Sequence, residues 1–134
     1  MNTKIIINTD GASRGNPGPA AIGVTLKNDK EELVAVISEK IGITTNNQAE
    51  YRALIAGLKK ALNLGAKEVV VRADSELMVK QLLGQYRVKN ADLKPLFEEA
   101  RRLTGGLASF KITAIPRERN KEADNLANQA FDTL

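Results

Sequence analysis

Four carboxylates stand out by type and by position: Asp10, Glu50, Asp74 and Asp124. The chain of 134 residues contains no His and no Cys, which removes imidazole and thiolate chemistry. Carboxylates are therefore the main groups left for acid–base or metal work. Asp10 follows the β-branched run Ile5-Ile6-Ile7, and Asp74 follows Val69-Val70-Val71, so each acid sits where a buried strand should end. Glu50 and Asp124 fall near the starts of two helical patterns, at the margin of their apolar stripes. Each has an ordinary alternative: a loop acid, a helix N-cap for Asp74, favourable charge in a first helical turn for Glu50. Four acids converging on one edge would repel one another strongly unless cations shared the site. Hard oxygen donors of this kind select Mg²⁺ or Mn²⁺ over softer metals.

The elements that must position these acids follow from patterning. Apolar side chains on both faces make the first strand central and covered on each side. The following residues, Gly11 to Ala20, have turn chemistry: Pro17-Gly18 suits the middle of a type II turn, and Gly11 and Gly15 would let backbone approach a ligand closely. Ala20 to Lys27 and Glu32 to Ile41 read as two more strands around a hairpin at Asn28-Asp29-Lys30, with Gly42 ending the third strand. Thr45 and Gln48 have capping-box spacing for a helix from about Asn46 to Asn63, which Gly65 closes. Its Leu54, Leu58, Ala61 and Leu62 lie on one side, opposite Arg52, Lys59 and Asn63.

A helix then a strand after this meander implies a right-handed crossover to a parallel neighbour of the first strand. Parallel strands bring Asp10 and Asp74 to one edge, where open α/β sheets bind ligands. The remaining elements are a helix over Ser75 to Leu83, one over about Asn90 to Arg102 with Pro95 in its first turn or marking a short break, and a fifth strand over Phe110 to Ile115. A last helix, N-capped by Asn120 and reaching Leu134, should bury Leu126, Ala127, Ala130, Phe131 and Leu134. The order βββαβα(α)βα predicts an α/β fold: a meander of strands 1–3, with strands 4 and 5 parallel to strand 1.

Length and composition predict a single domain spanning residues 1–134, without internal repeat or linker. The net charge of +4 is compatible with a polyanionic partner. Aromatic residues make up only 4% and Trp is absent, which disfavours a stacking platform for single-stranded bases and favours a duplex met through its backbone. No apolar run is long enough for a membrane span, and the residues before the first strand do not resemble a signal peptide. A cytoplasmic protein is the expectation, and the absence of Cys fits a reducing compartment.

The chain resembles the type 1 ribonucleases H. The resemblance rests on TDGASRGNPGPA at Thr9–Ala20, TTNNQAEYRAL at Thr44–Leu54, VRADSELMVKQL at Val71–Leu82 and NKEADNLAN at Asn120–Asn128, four blocks in the family's order covering nearly the whole chain. It implies a ribonuclease H-like fold, a five-stranded mixed sheet flanked by helices. It also implies Mg²⁺-dependent endonucleolytic cleavage of the RNA strand of RNA–DNA hybrids, leaving 5′-phosphate and 3′-hydroxyl ends. Two ions about 4 Å apart would serve the attacking and leaving oxygens, with Mn²⁺ as a possible substitute. In that scheme Asp10 bridges the ions, Glu50 and Asp74 complete one shell, and Asp124 completes the other. The motif also implies substrate contacts from Asn16, Asn46 and Asn47 to the hybrid's backbone and minor groove, and from Thr45 to a DNA phosphate. Each has a local alternative: Thr45 as a cap, Asn46 and Asn47 as helix openers, Asn16 as a turn residue.

Two departures from the family pattern change the expectations. The loop before the last helix is Pro116-Arg117-Glu118-Arg119, without the His many members carry there. Arg117 is the positional substitute; it cannot act as a base at neutral pH but can attract a phosphate, so altered rates rather than inactivity are expected. The segment from Gly84 to Asn90 lacks the longer basic insertion of many relatives and offers only Arg87 and Lys89, with Lys94 following. Weaker, strongly salt-dependent hybrid binding follows. A monomeric, free-standing enzyme is the expectation, ahead of a domain excised from a reverse transcriptase. The competing functional class is a catalytically silent hybrid-binding module of the same fold.

Overall fold

The computed structural model describes residues 3–133. Five strands form one sheet in the order β3-β2-β1-β4-β5. The strands are β1 (Lys4–Ser13), β2 (Gly18–Lys27), β3 (Leu33–Thr44), β4 (Glu68–Ala73) and β5 (Ser109–Ala114). β1 pairs antiparallel with β2, and β2 with β3, while β1, β4 and β5 run parallel. This is the mixed sheet anticipated from the sequence. The helices are α1 (Asn46–Asn63), α2 (Glu76–Leu82), α3 (Lys94–Thr104) and α4 (Lys121–Asp132), with a single 3₁₀ turn at Arg117–Arg119.

Two close helix–sheet approaches show which face each helix covers. A Cβ added at Gly57 of α1 would come within 2.9 Å of Ile7 and 3.2 Å of Val24. Gly23 lies under α4, where a Cβ would overlap the Ala123 carbonyl. Val24 is paired with Thr9 and Gly23 with Asp10. Paired residues share a face and neighbours alternate, so Ile5, Ile7, Thr9 and Gly11 face α1 while Asp10 faces α4. The core lies mainly on the α1 side, where Ile5, Ile7, Val24, Leu26, Val69 and Val71 meet Leu54, Leu58 and Ala61, all buried. Burial of such side chains contributes about 1.5–3 kcal/mol each and fixes the strands beneath the site.

The structure redraws several boundaries. β1 does not end at Asp10: its ladder with β2 continues to Ser13↔Ala20, and only its pairing with β4 stops, at Thr9↔Ala73. Gly42 does not end β3. It sits inside the strand at φ 82°, beside a bulge that leaves Ile41 without a partner, and pairing resumes to Thr44. The Pro17-Gly18 turn is not type II, because the positive φ (109°) belongs to Gly15. Gly18 is needed instead because a Cβ there would overlap the Arg14 carbonyl. α3 starts at Lys94 rather than Asn90, whose side chain accepts from the Asp92 N–H (2.7 Å) and so closes a separate turn ahead of the helix. α2 is capped by Ser75, whose hydroxyl accepts from the Met78 N–H (3.3 Å), which leaves Asp74 free of that task. On α4, Ala123, Ala127 and Ala130 are buried while Leu126 and Phe131 are half-buried; the expectation for Leu134 lies outside the described residues.

Candidate active site

The site forms where β1 outlasts β4. Beyond Thr9 the β1 backbone has no parallel neighbour, and the Gly11 N–H donates instead to Glu50 Oε1. Glu50 thus takes the place the next β4 residue would have had. Its approach requires Gly11, since a Cβ there would overlap the Ala49 carbonyl of α1. The glycine expected to admit a ligand admits a helix. Thr45 starts that helix as expected: its hydroxyl accepts from the Gln48 N–H (3.2 Å), while Gln48 Oε1 takes a hydrogen bond from Thr44.

Asp10, Glu50 and Asp74 can each present one carboxylate oxygen within 4.8 Å of the others. Asp10 and Glu50 are only 7% and 5% exposed. Asp124 lies outside this tight trio but lines the same cleft of about 220 Å³, together with Gly11, Ala12, Asn46 and Arg117. All four anticipated acids therefore share one cleft. Burial pushes the Asp10 carboxyl up to about 8, with Asp74 and Asp124 adding to the rise and Arg117 opposing it. Burial, then the proximity of Asp10, also holds Glu50 well above its ordinary value, against the hydrogen bond from Gly11. Carboxyls held so high are under strong pressure to gain a cation or a proton. The donor set, all carboxylate and with neither imidazole nor thiolate in the chain, fits a hard divalent cation.

Arg117, in the 3₁₀ turn, places its guanidinium 3.7 Å from Asp124 Oδ1 with the side chain 78% exposed. Among the described residues it is the cation that lines this cleft. The substrate candidates gather on the other rim. Asn16 Oδ1 accepts from the Asn46 N–H (3.0 Å), and Asn46 Oδ1 accepts from the Ser13 N–H (3.3 Å). These bonds orient both amides through their oxygens, and neither amide NH₂ donates a hydrogen bond among the described residues. Asn47 is exposed at the start of α1.

Sequence reasoning assigned Asn120 only a capping role, which its side chain does not perform. Asn120 is 2% exposed and its Nδ2 donates to the Thr9 carbonyl (2.8 Å) and, at 3.4 Å, to Asp74 Oδ2. The available signal was its place at the head of the Asn120–Asn128 motif, four residues before an acid. Tyr51, next to Glu50, was also missed. Its hydroxyl donates to Gln81 (2.6 Å), joining α1 to α2, and burial pushes its phenol upward.

A family model described as reverse transcriptase-like matches residues 8–130. The ribonuclease HI of Halobacterium salinarum is 47% identical over 123 residues, covering 92% of this chain and 62% of that protein. The chain belongs to the type 1 ribonuclease H family. A ribonuclease H1 crystal structure from the same archaeon superposes with a TM-score of 0.94 at 45% identity, covering 96% of this chain and 98% of that one. LC11 ribonuclease H1, solved in complex with an RNA/DNA hybrid, gives a TM-score of 0.91 at 45% identity and 96% coverage of both chains. A bifunctional protein of Mycobacterium tuberculosis is 46% identical over 130 residues, but this chain spans only 36% of its length. Among the described residues, no helix is long and apolar enough to cross a membrane.

Proposed function

We propose that this chain is a single catalytic domain that hydrolyses the RNA strand of RNA–DNA hybrids, releasing 5′-phosphate and 3′-hydroxyl ends. The observation that carries this reading is the buried trio Asp10, Glu50 and Asp74, with oxygens within 4.8 Å of one another in a cleft that also holds Asp124. Three acids so placed are unfavourable without a cation and serve no packing role that neutral residues would not serve better. The hybrid bound by the related LC11 enzyme supports the choice of substrate.

Asp10, Glu50, Asp74 and Asp124 would hold two Mg²⁺ ions, with Mn²⁺ able to substitute. When bound, the ions supply an activated water and stabilise charge on the leaving 3′ oxygen. The chain's own residues do the rest. Asp10 is fixed on a strand between the two groups of ligands and can serve both. Gly11 holds Glu50 by a backbone hydrogen bond. Arg117 presents an exposed positive charge beside Asp124, suited to drawing in the scissile phosphate and helping the product phosphate leave.

Across the cleft, the amide NH₂ groups of Asn16 and Asn46 suit the acceptors of a minor groove and the 2′-hydroxyls that mark an RNA strand. Asn47, exposed and next to Asn46 in the first turn of α1, would extend that contact. The Thr45 hydroxyl accepts from its own helix and keeps its proton to donate to a DNA phosphate. The test is incubation of an end-labelled hybrid with Mg²⁺, beside Asp10→Asn and beside RNA and DNA duplexes. Internal cuts confined to the RNA of the hybrid, absent in the variant, are expected. Intact RNA with wild-type protein, or equal cutting by Asp10→Asn, refutes the mechanism, and hybrid binding without cutting would return the chain to a silent module.

A further inference from the structure

The amide of Asn120 is built into the sheet more firmly than a helix-capping residue requires. Its two ends are distinguished by their partners. Nδ2 faces two acceptors, the Thr9 carbonyl (2.8 Å) and Asp74 Oδ2 (3.4 Å), while Oδ1 accepts from Asn8 Nδ2 (3.2 Å). The side chain therefore cannot turn over without placing its oxygen against two others. Its backbone is engaged as well: the Asn120 carbonyl accepts from the Asp124 N–H (3.1 Å), and its N–H donates to the Arg117 carbonyl (2.9 Å).

One buried residue thus touches the strand segment that precedes Asp10, the carboxylate of Asp74, the first turn of the helix that carries Asp124, and the turn that carries Arg117. It spans the place where β1 and β4 part, after Thr9↔Ala73. By engaging Oδ2 of Asp74 it limits rotation of that carboxylate and selects which oxygen is left for the cleft. A neutral amide does this without adding charge to a site that already holds buried carboxyls in excess.

We infer that Asn120 is a positioning residue for divalent-cation binding, orienting Asp74 and fixing its distance from Asp10 and Asp124. This rests on the metal-dependent reading of the site given above. Hydrogen-bonding partners of metal ligands typically matter 10- to 100-fold in metal affinity, and the same range is expected here.

The experiment is calorimetric titration of the full chain with Mn²⁺ and Mg²⁺ in the absence of nucleic acid, for wild type, Asn120→Ala and Asn8→Ala. Circular dichroism checks each fold, and hybrid cleavage is measured against Mg²⁺ concentration. Asn120→Ala should weaken cation binding about 10- to 100-fold, with the KM for hybrid changed less than about threefold and the rate largely recovered at high Mg²⁺. A loss caused merely by loosened structure would lower thermal stability without moving the cation isotherm selectively. Equal cation affinity in folded Asn120→Ala, or a rise in hybrid KM alone, overturns the inference. If Asn120→Ala does not fold, Asn8→Ala decides. It removes the hydrogen bond to Asn120 Oδ1 from a half-buried position, loosening the amide while leaving its two acceptors in place, and should weaken cation binding several-fold; an unchanged isotherm overturns the proposal. Wild type that binds no divalent cation would sink the functional reading itself, a result distinct from either.

Discussion

Replacing Asp10 by Asn should abolish cleavage and yet stabilise the protein when no metal is present. Asp10 loses its proton near 3.8 in an unfolded chain and near 8 in the fold, mainly because it is buried and secondarily because Asp74 and Asp124 are close. Between those values the folded state keeps a proton that the unfolded chain has released. Stability of the metal-free protein therefore falls as pH rises from about 4 to about 8. At about 1.4 kcal/mol per pH unit, the loss accumulated between 3.8 and pH 7 is at most about 4 kcal/mol. Side-chain rearrangement and water entry should reduce the measurable part to roughly 2 kcal/mol. Asn carries no proton to lose, so the variant escapes the penalty. For a domain of this size the difference corresponds to roughly 8 °C in Tm. The assay is thermal unfolding with a chelator present, at unit steps from pH 4 to pH 8. The variant should melt about 8 °C higher at pH 7, the gap should close near pH 4, and saturating Mg²⁺ should raise wild type much more than the variant. Parallel melting curves across this pH range, or a variant less stable at pH 7, would refute the electrostatic account of the site.

Other substitutions probe the scaffold. Gly11→Ala should cost about 3 kcal/mol in urea denaturation and cripple cleavage, because its Cβ meets the Ala49 carbonyl and forces α1, with Glu50, away from β1. Tyr51→Phe leaves Gln81 unpaired in a buried position; a loss of about 1–3 kcal/mol should appear in the denaturation midpoint, with cleavage at 25 °C retained. Arg117→Ala removes the positive charge that lowers the Asp10 pKa, so the rate–pH profile should shift toward higher pH and the rate at pH 7 should fall without vanishing. An unshifted profile would confine Arg117 to contacts with the substrate.

Much of this was legible because burial and chemistry left the same mark on the sequence. Ile5-Ile6-Ile7 and Val69-Val70-Val71 can only be central strands, and a helix between them forces the parallel pairing that brings Asp10 and Asp74 together. Glu50 betrayed itself by standing at the edge of an apolar stripe. What stayed hidden depended on partners distant in sequence. Nothing local tells that Gly11 is a seat for α1, or that Gly42 carries β3 through a bulge. Those roles arise from Ala49 and from the register with β2. Asn120 and Tyr51 were overlooked for a related reason. A capping Asn and a helical Tyr each have a sufficient local explanation, and their actual partners, Thr9, Asp74 and Gln81, lie at least 30 residues away.

The unequal lengths of β1 and β4 divide the carboxylates into one inside the sheet and others held at its margin. Asp10 lies inside a ladder that continues on both sides of it, from Ile6↔Lys27 to Ser13↔Ala20, so it moves only if the β1–β2 pairing opens. Its amide should belong to the slowest class in hydrogen exchange. Asp74 stands one residue past the last paired residue of β4, and Asp124 in the first turn of a helix, so neither is held by a ladder on both sides, and Asn120 is the tie between them. A centre built this way takes one coordinate from the sheet itself and ties others to it through a single amide.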